Sequence, residues 1–303
     1  MHPVAPTAGQ VDHVTRTRRD TRTAYAQVIF VSKILDLPHI SYIAMTNEYS
    51  EAHRVLLTYI RGVKCISAEE LVERFVMIAD HFGIDMADPT QAMRDYIAEI
   101  NVKIARAYFK IDSIRDQETD MQQYVFINTK FDEIIQGCTP YSPPELDAIK
   151  QLIDSIVNSH GYAFGLPFGN AKQQITTVLK RPPNELENFI ERLVDDGWIN
   201  LTAQKRLVLS AASLSELADY LQDRYGEFSD ADTLGKLLKC LVCSGFVTLG
   251  KKCSNTECPS SFHAKCFSVF SRDNKVCPNS LCSEPVASVV DIGTRSTVGD
   301  RNR

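Results

Sequence analysis

Residues 240–282 read CLVCSGFVTLGKKCSNTECPSSFHAKCFSVFSRDNKVCPNSLC, and seven of the chain's nine cysteines lie among them. With His263 they form eight donors in the order C-x2-C-x9-C-x4-C-x4-H-x2-C-x10-C-x4-C. A structural zinc ion takes four thiolate or imidazole ligands and keeps no open position, so eight donors suit two Zn2+ ions. A disulfide framework calls for an oxidising compartment and an even count, and neither is indicated here. Each close pair can present two donors from one tight turn, and the x9 and x10 spacers carry the chain elsewhere between pairs. In a cross-braced arrangement Cys240, Cys243, His263 and Cys266 hold one zinc, and Cys253, Cys258, Cys277 and Cys282 hold the other. Two separate sequential fingers fit the same spacing. The apolar residues between the donors (Val242, Phe246, Val247, Phe262, Phe267, Val269, Phe270) are too few for a self-sufficient core. Structural zinc supplies roughly 10–16 kcal/mol per site in small fingers, so removing the metal is expected to unfold this segment.

The chain as a whole is larger than one typical domain. Its 303 residues are 44% hydrophobic and 23% charged, enough for two or three folded units each with a core. A formal net charge of -5 offers no overall attraction to a phosphate backbone. No apolar run approaches the roughly 18 residues of a membrane span, and Met1–Gln10 has no hydrophobic signal core, so a soluble, intracellular chain is expected.

Residues 1–23 carry Arg16, Arg18, Arg19 and Arg22 among threonines with no apolar period, and read as a disordered basic arm. A first unit follows over 24–137. Val28, Ile29, Val31, Ile34 and Leu35 fit either a helix or a strand, whereas Val55, Leu56, Tyr59 and Ile60 share one helical face that Gly62 closes. Ser67 and Glu70 form a capping box ahead of Leu71, Val72, Phe75, Val76 and Ala79. Asp88-Pro89 opens a third helix, and Tyr108–Ile114 with Gln122–Asn128 make a hairpin. Three helices and a hairpin are the order of a winged helix.

That order repeats over 138–228. Ser142 caps a helix through Leu146, Ile149, Leu152, Ile153, Ile156 and Val157; a second follows Asn170, and Pro182-Pro183 restarts a third through Leu186, Phe189, Ile190 and Leu193. Trp198–Leu201 and Arg206–Ser210 form the short wing, and a connecting helix is expected over Ser213–Tyr225. The zinc module occupies 229–285, and 286–303 reads as a disordered tail. The fold class is therefore mainly α with small β wings: tandem winged-helix domains followed by a two-zinc module. A winged helix reads DNA with its third helix, where phosphates reward Lys and Arg. Here Asn184–Asp196 has five acids (Glu185, Glu187, Glu191, Asp195, Asp196) against Arg192 alone, so DNA contact is expected to be indirect or weak.

With tandem winged helices ahead of a C4HC3 zinc module, the chain resembles the non-SMC element one family, the RING-finger subunits of the Smc5/Smc6 chromosome-maintenance complex. The resemblance runs from about Val55 to Cys282 and rests on Arg61-Gly-Val63, Tyr124-Val-Phe-Ile-Asn128, Val194-Asp-Asp-Gly-Trp198-Ile199 and the donor order. It implies a cross-braced RING-like module and a nuclear, chromatin-associated subunit. It further implies a MAGE-type partner bound through the winged helices, a kleisin partner and a role in DNA repair. It also implies ubiquitin ligation, with Val242, Phe270 and Pro278 docking a ubiquitin-conjugating enzyme; packing beside the zinc knuckles is the other reading of those three. The sequence departs from the family in the x4 spacing of Cys253–Cys258 and Cys277–Cys282, usually x2, and in Ser283, which stands where active RING ligases often carry a basic residue. A histone-tail reader of the PHD class shares the C4HC3 order but usually has an aromatic where Lys275 stands. A non-catalytic structural subunit is the third reading.

Overall fold

A computed structural model describes residues 49–130 and 140–294. The basic arm, the apolar run Val28–Leu35, Cys138 and residues 295–303 lie outside them.

Among the described residues the first unit opens with α1 (Glu51–Val63), where Ser50 and His53 cap each other reciprocally, and β1 (Cys65–Ser67). In α2 (Ala68–Phe82) the Ser67 hydroxyl accepts from the Glu70 amide, and Gly83, at φ 63°, ends the helix in the left-handed conformation. Asp88 caps α3 (Pro89–Ile104) by accepting from the Thr90 and Gln91 amides, with Pro89 at the position where a missing N–H costs nothing. β2 (Phe109–Arg115) and β3 (Gln122–Asn128) form the wing, and β1 pairs with the other side of β3, giving the order β1-β3-β2. Leu56, Ile60, Leu71, Phe75, Met93 and Ile100 fill the core between helices and sheet.

The second unit repeats this plan with α4 (Pro143–Val157), β4 (Leu166–Pro167), α5 (Phe168–Leu179), α6 (Pro183–Asp195), β5 (Ile199–Leu201) and β6 (Arg206–Leu209). Its sheet order, β4-β6-β5, matches the first. Leu152, Ile156, Ile175, Leu186, Ile190 and Leu207 form a separate core. Three local expectations are corrected. α1 runs through Gly62, and Lys64 takes the positive φ instead. α5 starts at Phe168, before Asn170. The connecting helix divides into α7 (Ala211–Glu216) and α8 (Ala218–Tyr225), because Leu217 leaves helical ψ to bury its side chain.

The last unit holds β7 (Gly250–Cys253), β8 (Ser261–Phe262), α9 (Ala264–Asp273) and β9 (Val289–Ile292), with strand order β8-β7-β9. The expectation of a disordered tail over 286–303 fails for residues 286–294. β9 pairs antiparallel with β7, Cys253 opposite Val289 and Gly250 opposite Ile292, and Val286 and Ile292 are buried. Without β9 one edge of β7 would expose unpaired backbone groups beside Cys253. Among the described residues no helix is long and apolar enough to cross a membrane.

Candidate metal centre

β7 and the N-terminus of α9 set the donors in place. Cys253 ends β7, His263 is the residue before α9, and Cys266 lies on its first turn. Cys240 and Cys243 flank a tight turn in which the Cys240 amide donates to Gly245 O and the Ser244 amide to Cys240 O. The donor atoms fall into two interleaved groups: Cys240, Cys243, His263 and Cys266, and Cys253, Cys258, Cys277 and Cys282. Within each group all donor atoms lie inside 4.8 Å of one another.

These separations suit a tetrahedral ion. Thiolates about 2.3 Å from a tetrahedral zinc are roughly 3.8 Å apart, and the Cys253–Cys282 and Cys258–Cys277 sulfurs are 3.8 and 3.6 Å apart. In the first group His263 Nδ1 lies 3.3 Å from Cys243 Sγ and 4.0 Å from Cys266 Sγ. His263 Nε2 faces Phe246 O at 2.9 Å, so Nε2 carries the proton and Nδ1 is left to bind metal. Electrostatics point the same way. Burial, followed by the crowding of neighbouring thiols, pushes Cys253 and Cys266 up to about 12. Burial acts on Cys240 as well, but His263 and nearby backbone amides outweigh it and hold that thiol at about 6. Four thiols so close cannot all ionise without a cation among them, and the two groups fit zinc.

The family described as "Nse1 non-SMC component of SMC5-6 complex" matches residues 53–166, and a RING-like domain matches residues 240–280. Over these two segments the chain is similar to the Nse1 family. Its sequence is 25% identical over 248 residues to "Non-structural maintenance of chromosomes element 1" of Schizosaccharomyces pombe, covering 80% of this chain and 95% of that relative. The human homolog is 21% identical over 183 residues, covering 60% of this chain and 64% of its own. Among solved structures, a chain of an "Nse1-Nse3-Nse4 complex" superposes with a TM-score of 0.67 at 16% identity, over 78% of this chain and 98% of that one, a likeness of fold. The likeness to the Nse1 family thus spans the first winged helix, the start of the second and, through the RING-like match, the donor segment.

The residues outside the two donor groups are distributed unevenly in this fold. Val242 and Pro278 are exposed. Phe270 is half-buried on α9, with its ring stacked 5.1 Å from Phe262, and it packs against the cluster around Phe262. Cys65 is exposed, since β1 turns it outward beside Gln123. The lone cation of α6, Arg192, is bound to Glu145 and lies over the Tyr141 and Phe189 rings, which leaves the acidic helix without a free basic group. Two polar residues that the sequence did not mark stand close to the donors. Gln117, in the turn between β2 and β3, bonds the Cys240–Cys253 segment, and Lys252 is buried against the second group.

Proposed function

We propose that the chain is the RING-type ubiquitin-ligase subunit of a nuclear, chromatin-associated Smc5/Smc6-type complex, acting in DNA repair. Its winged helices bind a MAGE-type partner and it joins a kleisin subunit; the likeness to a chain from an Nse1-Nse3-Nse4 complex supports both assignments. Four-ligand zinc keeps no vacant position for water, so the module acts by positioning and not by metal chemistry. It holds a ubiquitin-charged conjugating enzyme so that a substrate lysine amine attacks the thioester carbonyl and the enzyme's cysteine thiolate leaves. Val242 and Pro278 supply apolar docking surface, with Phe270 supporting them from α9. The observation that carries this reading is the interleaving of two four-donor groups, with exposed Val242 beside one donor and exposed Pro278 beside another.

In ubiquitin transfer reconstituted with the MAGE-type partner, Val242→Ala combined with Pro278→Ala is expected to lower the rate roughly tenfold or more, as loss of interface anchors does. Unchanged transfer would contradict the docking assignment. A non-catalytic structural role is the second reading, favoured by exposed Ser283 directly after the last donor. Absence of transfer from a fully assembled complex would select it.

A further inference from the structure

Lys252 is 3% exposed, although Lys251 before it in the same strand is half-exposed. Its ammonium donates to three carbonyls of the loop between Cys253 and Cys258: Asn255 O at 3.1 Å, Thr256 O at 3.3 Å and Cys258 O at 2.7 Å. An ammonium has three donors and no acceptor, so all three protons are used. On its other side lie the rings of Tyr162 and Phe228, with centroids 5.7 and 5.3 Å away. Burying a cation without an anionic partner is unfavourable, and the carboxylates that pair with neighbouring lysines, Glu227 with Lys239 and Asp291 with Lys251, do not reach it. The negative charge available is that of the second donor group, whose four thiolates around one divalent ion keep two charges in excess.

We propose that Lys252 is the positioning residue of the second zinc group: its ammonium is the counter-charge of the four-thiolate centre and the template around which the lengthened Cys253–Cys258 knuckle folds. An x2 knuckle closes on its own turn. The x4 knuckle leaves carbonyls pointing inward, and Lys252 gathers three of them while bringing a positive charge beside the sulfurs. Asn255, whose side-chain amide donates to Cys282 Sγ at 3.9 Å, and Ser260, whose hydroxyl lies 3.3 and 3.2 Å from Cys258 and Cys277 Sγ, complete the polar shell. The first group has one fewer thiolate, a histidine in its place, and no buried lysine against it among the described residues.

The proposal rests on zinc occupancy and is independent of ligase activity. The test uses the full zinc-loaded chain, a chelator, and alkylation of each cysteine followed by mass spectrometry. Lys252→Met keeps length and apolarity and removes the charge, and it is expected to speed zinc release from the second group roughly 10- to 100-fold, the range typical of outer-shell partners. Cys253, Cys258, Cys277 and Cys282 should become reactive first, with Cys240, Cys243 and Cys266 still protected. Lys252→Arg, which retains the charge, should restore protection in part, and in cobalt-substituted protein it should retain the thiolate charge-transfer band that Lys252→Met loses. Equal release from wild type and Lys252→Met would overturn the proposal, as would simultaneous exposure of both groups or an arginine variant no better than the methionine one. A chain that binds no zinc at all would instead defeat the metal reading itself.

Discussion

Glu145 carries a charge in a place 5% exposed, and the way it does so explains how the second winged helix is tied together. Burial disfavours its carboxylate, but the Ser142 amide, Arg181, the Ser142 hydroxyl and Arg192 all donate to it and hold its pKa down at about 2, from an ordinary 4.5. The same carboxylate thus caps α4 and joins it to Arg181, just ahead of α6, and to Arg192 on α6. A depressed pKa contributes stability that is complete above the unfolded value and disappears as the pH falls toward the folded one. Loss is therefore expected between about 4.5 and about 2. Glu145→Gln should remove that acid-dependent component and destabilise the domain at neutral pH by about 2 kcal/mol, as read by denaturant titration at several pH values. An unaltered acid profile would contradict the assignment. Glu145 was legible in part, since Ser-x-x-Glu before an apolar period marks a capping box. Lys252 was not: strand alternation sends adjacent residues to opposite faces, and Lys251-Lys252 contains no cue as to which turns inward.

The turn between β2 and β3 does more than close a wing. Gln117 donates to Phe246 O at 3.0 Å and accepts from the Thr248 and Leu249 amides, each at 3.0 Å, and Asp120 in the same turn pairs with Lys265 of α9. Phe246 O also faces His263 Nε2, so one carbonyl is shared by the first wing and a zinc donor. Gln117→Ala would leave two amides and part of a carbonyl unpaired, at a cost of about 2–3 kcal/mol to this contact. Faster hydrogen exchange at Thr248 and Leu249 is the expected outcome, with zinc content intact; unchanged protection would count against the contact. Long helices were readable from their period and caps. β1, β4 and β9 were not, because two to four residues are too few to establish alternation and each exists only through its partner strand. The division at Leu217 is likewise a tertiary effect, since the sequence runs helical straight through it.

On the scale of the molecule, the two winged helices have their own apolar cores, while the zinc-binding segment has only Leu238, Val247, Phe262 and Ile292, packed with Phe164 and Phe228 of the second unit, beside its two donor groups. Chelation is therefore expected to unfold residues 240–292 while the cores around Phe75 and Ile190 persist, and hydrogen exchange would resolve the three regions. Cooperative loss of all three would contradict this independence. Donor identity was legible in the cysteine spacing, whereas the choice between interleaved and sequential pairing was not, because it depends on where x9 and x10 carry the chain. Two-dimensional correlation of cadmium-113 with cysteine and histidine protons in the cadmium-substituted chain tests that choice most directly. The account predicts two cadmium signals, one coupled to Cys240, Cys243, His263 and Cys266 and the other to Cys253, Cys258, Cys277 and Cys282. A signal joining Cys240 and Cys243 to Cys253 and Cys258, or a single bound ion, would contradict it.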